Sequence, residues 1–333
     1  MPNSDGSVKS GVSITATARL HMGFFDLNGG LGRRFGSIGV SLDQPSTELC
    51  AWPTQGFTAD GIGAERAIKT AEKLAEALRL QGLNLPGGLH MRLKQSIPEH
   101  AGLGSGTQMA LAVGLAMNRL YDLQLSLNDV AKFTSRGARS GIGLGTFSGG
   151  GVIVDGGRGA NTLVPPVIAR ADFPEDWRVV LIFDKTDAGI HGQQEIEAFR
   201  NLPEFSAEAS AILCRHVLMQ ALPALAEQDL ITFGAAICEL QERTGDHFAP
   251  AQGGRYASPQ VAEVLLWLKN QGAVCFGQSS WGPTGFAIFA NQQEAETFLQ
   301  ALQIQFEQQT ALKFLLCRGR NEGGVVRDIE AFA

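Results

Sequence analysis

The chain is predicted to form two α+β domains, on three observations. Its 333 residues exceed what one hydrophobic core usually holds, so two domains are the first expectation. Stretches with strand alternation and stretches with helical periodicity follow one another in both halves. The second half reads strand, helices, two strands, helix, strand, which is the split-βαβ order of ferredoxin-like domains. We therefore predict an N-terminal βα domain over residues 1–165 and a C-terminal ferredoxin-like domain over residues 166–333.

The composition is typical of a globular protein and excludes several other classes. Hydrophobic residues make up 44% and charged residues 18%, and the net charge of −6 argues against a nucleic-acid or anionic-membrane surface. The cysteines are scattered and form no CxxC pair, so neither a disulfide framework nor a zinc site is expected. No signal-peptide core and no apolar run of about 18 residues is evident. We expect a cytoplasmic homodimer that acts on small molecules, without nucleic acid or membrane.

The N-terminal half is predicted to begin with a half-buried strand. Over residues 13–22, apolar side chains take one face, and polar ones, including Arg19 and His21, take the other. Glycines then break the chain before a helix over residues 65–80, which has one apolar face. A second strand is predicted over residues 89–93.

The rest of this half contains two predicted helices and a strand. The helix at about residues 105–120 is almost wholly apolar and should be buried. Ser126 and Asp129 have the spacing of a capping box and start a helix that is predicted to end near Gly137. A strand over residues 151–155 follows.

The C-terminal half supplies the elements of the split-βαβ domain. A buried strand at residues 177–183 precedes helices over about 207–241 and 260–271. Strands at 273–277 and 285–290 form a hairpin, a helix follows Asn291, and the last clear strand covers residues 313–317.

A glycine-rich loop at the start of the apolar helix is the clearest candidate site. Residues 98–108 read PEHAGLGSGTQ, which matches neither the P-loop nor GxGxxG. Helix-start N–H groups carry partial positive charge, and glycines let a phosphate approach them. The alternative is a turn that needs glycine only for positive φ. The candidate phosphate ligands are Gly102, Leu103, Gly104, Ser105, Gly106 and Thr107, and the Ser105 hydroxyl is also the candidate metal ligand.

A second glycine cluster, residues 135–151, contains two arginines next to flexible backbone. Arg136 and Arg139 are predicted to clamp a phosphate. The simpler interpretation is that they satisfy the last carbonyls of the preceding helix.

A third segment, GQSSWGPTG at residues 277–285, joins the predicted hairpin and is longer than a hairpin turn requires. We interpret it as a ligand-facing loop, with Trp281 offering a flat face to a ring. The alternative is a lid over the core. The candidate substrate-binding residues are Gln278, Ser279, Ser280, Trp281, Gly282 and Thr284.

Three segments in this order, ATARLHMGFFDLNG, PEHAGLGSGTQMA and GQSSWGPTGFAIF, resemble the GHMP kinase superfamily. The resemblance covers nearly the whole chain and implies a two-domain GHMP kinase-like fold whose central loop wraps nucleotide phosphates. Many members carry a catalytic aspartate in the third conserved segment. Residues 140–147, SGIGLGTF, contain no acid, which weakens the kinase interpretation without excluding it.

The chain resembles more closely a non-kinase branch, the β-ribofuranosylaminobenzene 5′-phosphate synthases of methanopterin biosynthesis. RSGIG followed by GGVIVDGG, FAPAQGG and GQSSWGPT carry this resemblance. It implies that phosphoribosyl pyrophosphate reacts with 4-aminobenzoate or 4-hydroxybenzoate, with Mg²⁺, and releases CO2 and pyrophosphate. The usual acidic loop of phosphoribosyltransferases is absent, so the diphosphate would be bound as in the kinases.

Catalytic roles follow from this implied reaction as hypotheses. Asp26 is the candidate for facing the ribosyl cation or the metal, and Trp281 for stacking on the aromatic ring. Arg19 and His21 share a strand face, so both are candidates for the 5′-phosphate or the carboxylate, the alternative being an ordinary solvent face. An ATP-dependent small-molecule kinase and a non-catalytic sensor remain the alternatives for the whole chain.

Overall fold

The structure is a computed structural model that describes residues 10–186 and 201–331. Two antiparallel-rich sheets and the helices packed on them form the described part of the chain. The strands are β1 (Gly11–Asp26), β2 (Phe35–Thr54), β3 (Thr58–Gly61), β4 (Gly88–Gln95), β5 (Val152–Asp155), β6 (Val167–Ala171), β7 (Arg178–Asp184), β8 (Cys275–Gln278), β9 (Gly285–Phe289), β10 (Leu312–Arg318) and β11 (Val325–Ile329).

The helices predicted from periodicity are present, but the helix Ile142–Gly149 was not predicted, and the helices predicted over about 207–241 extend to Gln252. They are α1 (Ala64–Leu80), α2 (Ser105–Tyr121), α3 (Leu127–Phe133), α4 (Ile142–Gly149), α5 (Ala207–His216), α6 (Leu222–Glu227), α7 (Leu230–Gln252), α8 (Pro259–Asn270) and α9 (Gln292–Gln305), with a π-helix, Val217–Ala221, between α5 and α6. The capping box of α3 is confirmed, since the Ser126 and Asp129 side chains each accept a backbone N–H of the other residue. The helix ends at Phe133 and not near Gly137, because Ser135 adopts a left-handed conformation with φ 56°.

The first sheet has the order β11-β1-β2-β4-β3, and β5 joins β2 to β6. One face packs on α1 and α2, which bury an apolar cluster with the strands. The other face of β1 was predicted to be polar and half exposed, but Thr17 and His21 are buried there. The prediction was wrong at these positions because the second domain covers this face, and α7 packs directly on β1.

The second sheet has the order β10-β7-β9-β8, with every neighbouring pair antiparallel. Strand β9 lies between β7 and β8, which are connected through the helices α5 to α8, so the split-βαβ arrangement is confirmed. Helices α8 and α9 cover the outer face of this sheet. Helices α5 to α7 lie between the two sheets and share one apolar cluster with both.

Two strands from the second half of the chain belong to the first sheet. β6 pairs with β5, and β11 pairs with β1 through a register that includes Gly11 opposite Ile329. The predicted boundary at residue 165 therefore separates the halves in sequence, but residues after it complete the N-terminal sheet. β11 has no alternating pattern, which is why it was not predicted as a strand.

The helical stretch Ala207–Glu227 is long and apolar enough to meet a length-and-composition test for a membrane span. A core helix passes the same test, and this stretch buries one face: Leu213, Val217 and Ala221 lie in the shared apolar cluster. Its outer face exposes Leu218 and Met219.

Candidate active site

The site is built around the start of α2, where residues 102–107 form what we call the central loop. Gly104 is the N-cap residue, with φ 81°, and its carbonyl accepts the N–H groups of Thr107 and Gln108 at 3.0 Å each. A Cβ at Gly104 would lie 3.0 Å from the Arg19 Cγ. The turn therefore needs a positive φ, which was the alternative reason for glycine, and the Arg19 side chain leaves little space for a side chain at this position.

Three arginines from three different elements contact the central loop. Arg19, on β1, donates from Nη1 to the Gly102 carbonyl. Arg66, on α1, donates from Nη1 to the Ser105 Oγ at 3.2 Å. The Arg136 guanidinium, from the segment after α3, packs against Gly106. A Cβ added to Gly106 would lie 2.8 Å from the Arg136 Nη1. Arg139, in the same segment, is half-buried.

The electrostatics at this loop favour an anion. The Arg66 side chain is 19% exposed, and its Nε lies 3.4 Å from the Glu99 carboxylate. Burial lowers the pKa of Arg66, Glu99 opposes that change, and the positive charge of Arg136 lowers the pKa further. Two mutually repelling guanidinium groups thus meet the positive end of α2, an arrangement that a multiply charged anion stabilises.

Arg66 was not identified from the sequence. It lies far from the glycine motif in the chain, and its charge was assigned to the outer face of a helix. The available signal is a second glycine turn, Gly61 to Gly63, which starts α1 and points its first turn at the central loop.

A buried carboxylate holds the segment that carries Arg136. Asp155 is fully buried and accepts hydrogen bonds from the Ser37 and Ser140 hydroxyls and from the N–H groups of Gly141 and Gly157. Burial raises the pKa of Asp155, while these four donors act in the opposite direction. The sequence was correctly found to lack an acid in residues 140–147, and the acid that lies against this segment is enclosed. Asp155 therefore positions the segment.

Residues 277–285, which we call the late loop, pack directly on the central loop. The Ser279 hydroxyl donates to the Gly102 carbonyl at 2.8 Å and accepts the His21 N–H at 3.1 Å. The Ser280 N–H donates to the His21 carbonyl at 3.1 Å. A Cβ on Gly282 would lie 2.4 Å from the Gly102 nitrogen. The late loop thus connects the two domains through direct hydrogen bonds and backbone contacts.

Most of the late-loop side chains that were predicted to face substrate are buried within the protein. Gln278 is 5% exposed, its Oε1 accepts the Ala257 N–H, and its Nε2 donates to the Ser280 carbonyl. Thr284 is fully buried. Trp281 is 2% exposed, and its ring lies 4.2 Å from that of Phe248. The structure therefore corrects the prediction for Trp281 and places it in the core, where the two domains need a large apolar side chain.

His21 does not join Arg19 in one anion site, and Asp26, the candidate for the ribosyl cation or the metal, lies away from the central loop. Burial, and secondly the charge of Arg19, lower the pKa of His21 to about 3, so its ring is neutral at neutral pH and supplies no positive charge. Asp26 lies seven residues beyond Arg19 on an extended strand, roughly 20 Å along it. Its carboxylate accepts the N–H groups of Asn28 and Gly29 at 3.1 Å and turns the chain after β1.

Comparisons with known proteins agree with this architecture. The family described as "GHMP kinases N terminal domain" matches residues 65–152, and that described as "GHMP kinases C terminal" matches residues 221–308. The first range contains Arg66, the central loop and the segment with Arg136 and Arg139, and the second contains the late loop.

Three archaeal relatives carry the name β-ribofuranosylphenol 5′-phosphate synthase. The protein from Archaeoglobus fulgidus is 35% identical over 289 residues, covering 83% of this chain and 87% of the relative. The protein from Methanothermobacter thermautotrophicus is 30% identical over 293 residues, covering 83% and 88%. A homoserine kinase from Methanopyrus kandleri is more distant, at 25% identity over 276 residues, covering 82% of this chain and 88% of the kinase.

Solved structures share the fold at low sequence identity. A homoserine kinase from Cytophaga hutchinsonii has a TM-score of 0.65 at 18% identity, covering 98% of this chain and all of its own. A mevalonate diphosphate decarboxylase from Staphylococcus aureus also has a TM-score of 0.65, at 15% identity, covering 96% of this chain and 98% of its own. The two-domain GHMP kinase-like fold predicted from sequence is confirmed.

Proposed function

The chain belongs to the β-ribofuranosylphenol 5′-phosphate synthase family, and we propose that it joins phosphoribosyl pyrophosphate to 4-hydroxybenzoate, releasing CO2 and pyrophosphate. The relatives' name refers to a phenol, which is the product expected from 4-hydroxybenzoate; 4-aminobenzoate is the alternative acceptor. The observation that carries the proposal is the set of three arginines at the start of α2, a site built for a polyanion. The product class belongs to methanopterin biosynthesis.

The proposed reaction balances without an acid or base acting first. The bond from the ribosyl C1 to the pyrophosphate oxygen breaks, and its electron pair leaves with pyrophosphate. The ring carbon that bears the carboxylate then supplies the pair for the new bond to C1. The bond to the carboxylate breaks last, returning its electrons to the ring as CO2 departs. No proton enters or leaves before the carbon–carbon bond forms, which suits a site whose nearby acid, Asp155, is enclosed.

The arginines have a direct part in this reaction. Negative charge accumulates on pyrophosphate as the C1–O bond breaks, and donors already held in place stabilise it without reorganisation. Arg66 is held by Glu99 and Ser105, and Arg136 by a segment fixed on Asp155. The backbone N–H groups at the start of α2 add their partial charge.

Mg²⁺ belongs to the proposal as the counter-ion of the diphosphate. The residues that the structure describes include no group of three or more His, Cys, Asp or Glu suited to a metal. Magnesium bound to nucleotide-like ligands usually takes few protein ligands and is held largely by phosphate oxygens. The Ser105 hydroxyl and the half-exposed Glu99 carboxylate beside it fit this pattern, and the ion would neutralise part of the diphosphate charge. A homodimer and a cytoplasmic location complete the proposal.

The kinase alternative shares the fold but has less support in the site. Kinase catalysis in this fold often uses an acid in the segment of residues 140–147, and here that segment has none. The more similar relatives are synthases, whereas the kinases are more distant.

The deciding experiment follows the carboxyl carbon. The protein is incubated with phosphoribosyl pyrophosphate, Mg²⁺ and carboxyl-labelled 4-hydroxybenzoate or 4-aminobenzoate. We expect labelled CO2 and pyrophosphate in equal amounts. An N- or O-ribosyl transfer would release pyrophosphate with no labelled CO2. Consumption of ATP with a small alcohol, together with no labelled CO2, would establish the kinase instead.

A further inference from the structure

A small cavity lies between β1, the end of α7 and the late loop. Its volume is about 20 Å³, enough for one water-sized group. Polar and aromatic groups line it together, among them His21, Phe24, Thr244, Phe248, Gln252 and Ser280. We call it the His21 niche. FAPAQGG and GQSSWGPT, two of the motifs that carry the family resemblance, meet in its wall.

His21 is the feature of this niche that needs a ligand. The residue is 2% exposed, and neither ring nitrogen has a hydrogen-bond partner among the residues that the structure describes. The backbone of His21 is fully used, since its N–H and carbonyl both bind the late loop. A buried polar group without a partner costs about 1–3 kcal/mol, so the ring is placed here at a cost that a bound polar group would offset.

The niche is placed correctly for the acceptor. Arg19 and His21 are two residues apart on one face of β1 without a bulge between them, about 7 Å along the strand. Arg19 contacts the central loop, where the pyrophosphate is proposed to bind, and His21 faces the niche. This separation is comparable to the length of a para-substituted benzene ring, so one acceptor can have its reacting carbon at the central loop and its para group in the niche. The Phe24 and Phe248 rings offer it apolar contact, with centroids 6.5 Å apart in an edge-to-face arrangement.

We propose that the His21 niche binds the para hydroxyl of the aromatic acceptor. This inference rests on the proposed function and names the part of the site that selects the substrate. The niche holds a single polar atom, which matches one hydroxyl and excludes a carboxylate. The His21 ring accepts the phenolic O–H at one nitrogen, which increases electron donation into the ring and directs the attack from the opposite carbon, the one that bears the carboxylate.

The burial of His21 supports a neutral ligand group. Burial and the Arg19 charge lower its pKa to about 3, so the imidazole keeps a lone pair for an O–H donor at neutral pH. Arg255, also on the wall of the niche, is held by Asp246 and Glu242 and completes its ion pairs within the protein.

The test compares 4-hydroxybenzoate with 4-methylbenzoate, which has the same shape but no hydroxyl. Binding of each is measured with pyrophosphate present, for the wild-type protein and for His21→Phe and His21→Gln. We expect the wild type to prefer the hydroxy compound by about 10- to 100-fold. His21→Phe removes this preference, and His21→Gln restores part of it. His90→Phe, the same exchange on the far side of the first sheet, keeps it.

A second measurement needs no variant. Wild-type protein labelled with ¹⁵N-histidine should show a shift of the His21 ring nitrogens on adding 4-hydroxybenzoate and none on adding 4-methylbenzoate. Equal binding of the two compounds by the wild type, or a preference that survives in His21→Phe, overturns the inference. The proposed function fails separately, by the absence of labelled CO2 from a wild type that does discriminate the two compounds.

Discussion

The central loop and the late loop have similar sequences, rich in glycine, serine and threonine, but opposite environments. The central loop is half-buried, and three arginines approach it, Arg19 and Arg136 at its glycines and Arg66 at Ser105. The late loop is almost wholly buried, and its closest neighbour is the backbone of the central loop itself, at Gly102. Positive charge surrounds the first, and apolar side chains surround the second.

The difference teaches that glycine marks close approach without saying what approaches. At Gly106 the approaching group is a guanidinium, so a ligand can share the space. At Gly282 it is the Gly102 backbone, so the space is filled by the chain itself. A cationic neighbour separates the glycines of the proposed phosphate site from those that serve packing.

The largest expected effect concerns the late loop as packing. Trp281→Ala should lower the free energy of unfolding by about 3–5 kcal/mol, because it removes a core side chain that packs against Phe248. The KM for 4-hydroxybenzoate should change little. Chemical denaturation and steady-state kinetics measure the two. Near wild-type stability with a strongly raised KM would return Trp281 to the substrate site. Trp267→Ala, on the outer face of the second sheet, is the control for truncating a tryptophan elsewhere in the same domain.

Substitutions of the arginines at the central loop should have a smaller effect, limited to the binding of phosphoribosyl pyrophosphate. Arg66→Met or Arg136→Met should each raise the KM for phosphoribosyl pyrophosphate by about 10- to 100-fold, since each removes a charged donor. Stability without ligand should be kept, because removing one guanidinium relieves repulsion between Arg66 and Arg136.

Pyrophosphate gives a direct measurement for these variants. It should raise the melting temperature of the wild type more than that of either variant. Arg79→Met, an exposed arginine on the same helix as Arg66, should behave as wild type. Unchanged KM values in both site variants would remove the arginines from the site.

The smallest effect lies between the two loops, at His21. Its pKa is about 3 in the folded protein and 6.5 when exposed, so the unfolded state binds a proton that the folded state does not. Protonation of His21 therefore favours the unfolded state. The free energy of unfolding is highest above pH 6.5 and decreases as the pH falls towards 3. From pH 6.5 to 5 the loss is about 2 kcal/mol. Denaturation across this range should give a flatter profile for His21→Gln, and identical slopes would contradict a buried, neutral His21.

Patterns that repeat locally were predictable from the sequence. The periodicity of α1 and α2, the Ser126 cap and the split-βαβ order all depend on residues near one another in the chain. The central loop was recognised because glycines and a helix start lie together.

What could not be predicted depends on contacts between distant segments. Arg66 reads as an ordinary surface arginine, and only the packing of α1 on α2 brings it to Ser105. His21 reads as exposed, because the strand pattern does not reveal that a second domain covers it. A tryptophan in this loop is compatible with either a hydrophobic core or a ligand site, and its contact with Phe248 favours the core.

The pairing of β11 with β1 has a consequence for how the molecule is made. The first part of β1, residues 11–15, remains an edge until residues 325–329 dock on it. The N-terminal sheet therefore cannot close while the ribosome is still synthesising the C-terminal half. A fragment that ends near residue 165 would expose an unpaired strand and a late-forming, high-contact-order interface, so it should aggregate where the whole chain refolds. The late loop, which packs on the central loop, also comes from the C-terminal half, so the active site is among the last parts of the protein to form.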